Sequence, residues 1–124
     1  MQYLKSFQVK RKYKNVKQTY NGYSYDSKRE SAKAHELDLL LKQNKIKTWG
    51  RQFKISIDVV DVFGKSKHIC NYYCDFVVAE NDGSFTLIEI KSKATETPVF
   101  RLKVKLLMAL WMPNHPEFKY VVEY

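Results

Sequence analysis

The sequence predicts an α/β fold in which two helices pack on a mixed sheet, in the order helix, three strands, helix, strand. Apolar residues recur at helical spacing in two segments, and they alternate or run together in four shorter ones. The helical segments are 27–43 and 98–112, and the strand segments are 52–59, 69–79, 85–91 and 119–123. A chain of 124 residues suits one hydrophobic core, so residues 1–124 are expected to form a single domain.

An arm at residues 1–25 precedes the first helix and combines basic with aromatic residues. No Asp or Glu occurs before Asp26, and the whole chain carries a formal net charge of +9. Lysines neutralise phosphates and aromatic rings stack on exposed bases, so the arm favours an anionic partner over a protein that is merely basic. Its candidate contact residues are Lys10, Arg11, Lys12, Tyr13, Lys14 and Lys17. The Asn21-Gly22 pair predicts a small hairpin at the end of the arm.

The first helix begins at a capping box, in which Ser27 is the cap and Glu30 follows three residues later, although Asp26 is a rival cap. Asn44 is a typical stop after the last helical residue. Extending the apolar face of the helix backward from Ala34 by four residues reaches Glu30. This carboxylate is therefore expected at the edge of the buried face, although a capping role alone would also explain it.

The second and third strands are expected to form a hairpin around the turn Asn81-Asp82-Gly83. A three-residue loop with Gly in the left-handed position places Asp75 opposite Glu89, with Lys91 two residues further along the same face. A two-residue Asp-Gly loop would instead place Asp75 opposite Ile90. The predicted site thus depends on the length of this turn.

Two carboxylates and one lysine on adjacent strands are the groups that a metal-dependent phosphodiester hydrolase needs. Mg²⁺ prefers carboxylate oxygens together with water and substrate phosphate, and a lysine can orient water or stabilise charge. The expected metal ligands are Asp75, Glu89 and the Ile90 carbonyl, with Glu30 acting directly or through water, while Gln52 positions a water or phosphate. The alternative is that each residue belongs to a solvated face, with a weak Glu89–Lys91 ion pair.

The cysteine spacing and the hydropathy of the sequence indicate the cellular compartment. Cys70 and Cys74 lie four residues apart in one predicted strand, which is too far for a disulfide. No apolar run reaches about 18 residues, so a membrane span is not expected. The amino terminus lacks an apolar signal segment. These features predict a cytoplasmic protein with no membrane association.

The pattern resembles the PD-(D/E)XK nuclease superfamily, whose restriction-endonuclease-like core has the same order of helices and strands. The superfamily motif is matched by Cys74-Asp75 and by Glu89-Ile90-Lys91, and its helical acid is matched by Glu30. Gln52 resembles a glutamine found in some branches. The departure is Cys74, which stands where the motif usually has proline. The resemblance implies that the catalytic residues are Glu30, Asp75, Glu89 and Lys91.

More narrowly, the chain resembles a family of small phage and prophage proteins over about residues 10–112. The motifs that carry this resemblance are Lys12 to Asn15, Gly22 to Glu30, Gln52-Phe53, Asp75-Phe76 and Glu89 to Lys91, in the family's order. A basic second helix with Lys103 and Lys105 also fits, and these two residues, with Lys28 at the start of the first helix, join the expected DNA contacts. Each motif is weak alone, and their combination is the specific signal.

The resemblance implies a DNA endonuclease that depends on Mg²⁺, for which Mn²⁺ can substitute. Small basic members include Holliday-junction resolvases that act as homodimers, so branched DNA from recombination or replication is the expected substrate. Phage recombination or packaging proteins are the implied partners, in the cytoplasm of a bacterial host. The alternative is a catalytically inactive module that binds DNA as a recombination accessory.

Overall fold

The computed structural model describes residues 18–20, 23–25, 28–92, 94 and 96–124. Two short strands, β1 and β2, form a separate hairpin, and the remaining elements build the body of the protein. In chain order the elements are β1 (Gln18–Tyr20), β2 (Tyr23–Tyr25), α1 (Lys28–Lys42), β3 (Thr48–Val60), β4 (Ser66–Ala79), β5 (Phe85–Ile90), α2 (Pro98–Leu106) and β6 (Phe118–Glu123). The α/β class is confirmed. The small hairpin predicted at the end of the arm is present as β1 and β2, and it precedes the expected order of helix, three strands, helix and strand, which did not include it.

The main sheet has four strands in the order β3-β4-β5-β6. Strands β3, β4 and β5 are antiparallel neighbours, whereas β6 runs parallel to β5. A parallel neighbour requires a crossover connection, and α2 with the turns after it supplies this connection. The sheet is therefore mixed, as the sequence predicts.

Two apolar clusters cover opposite faces of this sheet. Consecutive residues of β5 show the alternation, because Leu87 belongs to one cluster and Ile88 to the other. The Leu87 cluster, here called the α2 core, includes Leu107 and packs against Phe100 of α2. The Ile88 cluster, here called the α1 core, includes Ala34 of α1. Each helix thus covers its own face of the sheet.

The ends of both helices follow their local sequence. Asn44 has φ +57°, the left-handed conformation expected of a residue that stops a helix. The Thr97 hydroxyl accepts a hydrogen bond from the Phe100 amide at 3.1 Å and caps α2. The prediction of one regular helix over 98–112 was wrong beyond Leu106, because a π-helical turn follows. At this wider turn Leu107 is fully buried and the next residue, Met108, is exposed.

None of the helices in the described part of the chain has the length and apolar character needed to cross a bilayer. Cys70 and Cys74 are both free thiols, as their spacing predicts.

Candidate active site at the β4–β5 junction

In the two longest strands, β3 and β4, the alternation of side chains between the two faces of the sheet is interrupted at one point, where Gln52 lies across from Asp75. The paired residues on either side share a single register, but this position itself is unpaired in the ladder. Cys74 belongs to the α2 core and Phe76 to the α1 core, although strict alternation would place both on one face. Gln52 has φ +55°, which a residue with a side chain adopts at a cost of about 1–2 kcal/mol. The interruption redirects the side chain of Asp75.

The hairpin that carries the expected acids has the predicted three-residue turn. The Glu80 amide donates to the Ser84 carbonyl at 2.8 Å, and Gly83 has φ +92°. The register that follows pairs Phe76 with Ile88, so the next positions along the strands set Asp75 across from Glu89. The prediction that the longer turn brings these two acids opposite each other is confirmed.

Asp75 contacts the backbone of the Glu89-Ile90-Lys91 triplet. Its Oδ2 accepts a hydrogen bond from the Ile90 amide at 2.8 Å. Because the β4–β5 ladder ends at Phe76, this carboxylate takes the place of a strand carbonyl at the end of the hairpin. A hydrogen bond from a backbone amide fixes the Asp75 side chain at the point where the strands separate.

Glu89 is buried, with only 4% of its surface exposed, and it lies in a network of polar groups. The Tyr72 hydroxyl donates to its Oε1 at 2.8 Å, and the Tyr120 hydroxyl lies 2.7 Å from that of Tyr72. Burial, followed by the charge of Asp75 and a hydrogen bond with it, raises the pKa of Glu89 well above its usual range. Tyr72 and Lys91 act in the opposite direction. The pair of acids therefore holds a proton readily.

Lys91 lies directly after β5, and both its side chain and its backbone are held. Its Nζ is 4.3 Å from the centroid of the Phe100 ring, a cation–π contact with the helix that covers the α2 core. The Lys91 carbonyl accepts from Arg29 Nη1 at 3.0 Å, and Arg29 Nη2 donates to the Glu123 carbonyl at 3.2 Å. Arg29 thereby attaches the first turn of α1 to the ends of β5 and β6.

Glu30 occupies this attached first turn and is partly buried. It lies four residues before Ala34, which is fully buried in the α1 core, so Glu30 is at the sheet-facing edge of the helix as predicted. Its neighbour Arg29 contacts the backbone of Lys91, which places the turn at the same end of the sheet as the acids. However, α1 covers the face of the sheet opposite to the one that Glu89 occupies, and the described residues do not join Glu30 with the two acids into a group of three. Ser27, the predicted cap, lies outside the described residues.

The acidic side chains of the site can be compared with the ligands that metal ions require. Within residues 28–92, 94 and 96–124, no group of three or more His, Cys, Asp and Glu side chains is arranged to hold a metal. Zinc, which requires three or four such ligands, does not fit. Asp75 and Glu89 supply two carboxylates, and Mg²⁺ is commonly bound through one or two carboxylates with water and substrate phosphate. The chemistry of the pair fits Mg²⁺ or Mn²⁺.

Residues 10–120 match the family model described as "Protein of unknown function (DUF1064)". The chain belongs to this family. Neither the curated proteins nor the solved structures provide a match. The matched region begins in the basic arm and includes every predicted site residue, from Glu30 to Lys91, so the DUF1064 region contains the whole candidate site.

The basic residues expected to contact DNA are distributed over several parts of this DUF1064 protein. Lys28 is exposed at the start of α1, and Lys105 is exposed on α2. Lys103 is partly buried, and its Nζ donates to the Asn71 carbonyl at 3.3 Å, which gives it a structural contact. The helices that carry these lysines cover opposite faces of the sheet, so the structure does not join them into one patch on a single face. The candidates at 10–17 lie outside the described residues.

Sequence reasoning missed three residues around the acids of the DUF1064 chain. Tyr72 and Tyr120 contact or support Glu89, and Cys74 donates its thiol hydrogen to the Ile88 carbonyl at 3.3 Å. Alternation along β4 would place Tyr72 and Asp75 on opposite faces, so no periodic signal connected them. The thiol contact shows that Cys74 joins β4 to β5 beside the interruption.

Proposed function

We propose that this DUF1064 protein is a Mg²⁺-dependent endodeoxyribonuclease of the PD-(D/E)XK type. The observation that carries the proposal is the contact of the partly buried Asp75 carboxyl with the buried Glu89 carboxyl, with Lys91 beside them. Two adjacent carboxyls in a site shielded from water disfavour folding unless a proton or a cation lies between them. Such pairs are typical of functional sites, where the cation or proton is part of the reaction.

Each residue of the site has a role in the proposed hydrolysis. Asp75, held by the Ile90 amide, and Glu89, held by the Tyr72 hydroxyl, provide the carboxylate ligands. A bound Mg²⁺ supplies polarisation of a phosphoryl oxygen and eases ionisation of a water molecule. Lys91 places a positive charge beside Glu89, where it can orient water and stabilise charge that develops on the phosphate.

Glu30 and Gln52 are the remaining residues assigned to the proposed site. Glu30 would act from the first turn of α1, directly or through water, and Gln52 lies opposite Asp75 on the neighbouring strand. The positive φ of Gln52 stores backbone strain, and such strain concentrates at sites where a side chain must be aimed. The Ile90 carbonyl, next to the amide that holds Asp75, is the third proposed ligand of the cation.

The proposed substrate is branched DNA, such as a recombination or replication intermediate. The net charge of +9 favours a polyanion, and the resemblance to small junction resolvases favours a homodimer that presents two sites. Phage recombination or packaging proteins are the proposed partners, and the two free thiols agree with the reducing cytoplasm of a bacterial host.

The test is cleavage of linear, nicked, single-stranded and four-way-junction DNA with Mg²⁺, Mn²⁺ or EDTA. Wild-type protein should cleave the junction with either cation, and Asp75→Asn, Glu89→Gln and Lys91→Met should each lose about 100-fold or more. Glu117→Gln, which alters an exposed carboxyl, is the matched control and should cleave normally. Cleavage that persists in Asp75→Asn would contradict the assigned site.

A second function, a DNA-binding accessory module without catalysis, is favoured by one observation. The described residues bring together only two carboxylates and no third acidic, histidine or cysteine ligand. Junction binding by wild-type protein without cleavage under any cation condition would support this module and refute the nuclease.

A further inference from the structure

We propose that Tyr72 is a positioning residue that orients Glu89 for cation binding, and that Tyr120 in turn orients Tyr72. This inference rests on the proposed nuclease function, because it assigns a role toward the same cation. Neither tyrosine belongs to the motif that connects the acids, and both are brought to Glu89 by tertiary structure. Tyr72 comes from β4 and Tyr120 from β6, on either side of β5.

The packing of Tyr72 fixes where its hydroxyl lies. The residue is only 2% exposed and belongs to the α2 core, the face of the sheet that Glu89 also occupies. Its ring meets the Tyr120 ring edge to face, with centroids 6.3 Å apart at 68°. A buried, close-packed ring leaves the hydroxyl little freedom, so it is a rigid donor toward Oε1 of Glu89.

The hydrogen bonds among Tyr120, Tyr72 and Glu89 all donate toward Glu89. A tyrosine hydroxyl has one hydrogen, and that of Tyr72 is donated to Oε1 of Glu89 at 2.8 Å. Tyr120, at 2.7 Å from the Tyr72 oxygen, must therefore be the donor in the bond between the tyrosines. The chain runs from Tyr120 to Tyr72 to Glu89, and donors aligned in sequence strengthen one another in a site of low dielectric.

This chain of hydrogen bonds engages Oε1 of Glu89. The Glu89 carboxyl also shares a hydrogen bond with Asp75. Tyr72 therefore holds Glu89 while the same carboxyl contacts the neighbouring acid. Groups that hold a ligating carboxylate from behind typically contribute about 10–100-fold to metal affinity or activity. A purely structural hydrogen bond would contribute to folding and leave cation affinity unchanged.

The experiment measures Mn²⁺ binding to the full chain by the loss of the free-ion electron paramagnetic resonance signal. Tyr72→Phe removes only the hydroxyl, and it should weaken Mn²⁺ binding by about tenfold or more. Tyr120→Phe keeps the direct bond to Glu89 and should cause a smaller loss. Tyr124→Phe, at a residue with 65% exposure, is the matched control and should bind as wild type does.

The outcomes separate this inference from the proposed function. If wild-type protein shows no Mn²⁺ binding that depends on Asp75, the proposed function and this inference both fail. If wild type and the control bind Mn²⁺ while Tyr72→Phe binds equally well, only the role of Tyr72 is refuted. Should Tyr72→Phe fail to fold by circular dichroism, Tyr120→Phe decides: weakened Mn²⁺ binding supports the relay, and unchanged binding overturns it.

Discussion

Replacing Glu89 by Gln should stabilise the cation-free protein at neutral pH. Gln has nearly the same shape, can accept the Tyr72 hydrogen bond through its oxygen, and can donate its amide hydrogen to Asp75. It therefore reproduces the protonated form of Glu89 without the cost of burying an ionised carboxylate. Most substitutions of buried residues destabilise a protein, so a gain in stability here would be a specific result.

The gain should grow with pH, because the pKa of Glu89 is raised in the folded protein. A carboxyl whose pKa is raised in the folded protein does not reduce the stability of the protein below the unfolded-state pKa, ordinarily 4.5. As the pH rises from there toward the folded-state pKa, the protein progressively loses stability. Over that interval the folded state holds one proton more than the unfolded state, which lowers the free energy of unfolding by about 1.4 kcal/mol per pH unit. For a chain of this length, each kcal/mol corresponds to a shift of about 4 °C in Tm.

The assay is urea unfolding of wild type and Glu89→Gln in EDTA, from about pH 5 to about pH 8. The difference in unfolding free energy should be small at the acidic end and increase toward the basic end. Glu117→Gln is the control, since it alters an exposed carboxyl and should follow wild type throughout. Parallel curves for wild type and Glu89→Gln, or a variant that is less stable at every pH, would refute the reasoning.

Three further predictions concern the same region. Saturating Mg²⁺ should stabilise wild type by about 2.7 kcal/mol at a concentration of about 100 times Kd, and so raise its Tm, whereas the Tm of Asp75→Asn should not change. Equal Tm shifts in thermal melts would contradict the assignment of Asp75. Gln52→Gly should be about 1–2 kcal/mol more stable in urea titrations than Gln52→Val, because glycine accepts φ +55° without the cost that a side chain carries there; equal stability of the two variants would argue against backbone strain. A thiol reagent should label the partly exposed Cys70 in the native protein and Cys74 only on unfolding, because burial raises the pKa of the Cys74 thiol; rapid labelling of both would refute this.

Turn chemistry made the central part of the site predictable. Asn81-Asp82-Gly83 favours a three-residue loop, and that loop sets the register of the whole hairpin because side chains alternate strictly along a strand. The structure has this turn and this register, so Asp75 and Glu89 lie opposite each other. The position of Glu30 followed in the same way from helical spacing.

Other features depended on contacts between distant parts of the chain. A glutamine with positive φ is locally disfavoured, so nothing in the sequence around Gln52 indicated that β3 and β4 change face there. The irregular turns after Leu106 likewise replaced the regular helix that local spacing predicted.

The sequence by itself determined which acids face each other, since turn type and strand alternation act over a few residues. Only the tertiary structure decided what surrounds them. Glu89, which its sequence alone allowed to be a solvated residue, is buried because Tyr72 and Tyr120 converge on it from β4 and β6. Its raised pKa follows from that burial and from Asp75. Desolvation is a property of the assembled core, and no short stretch of sequence encodes it.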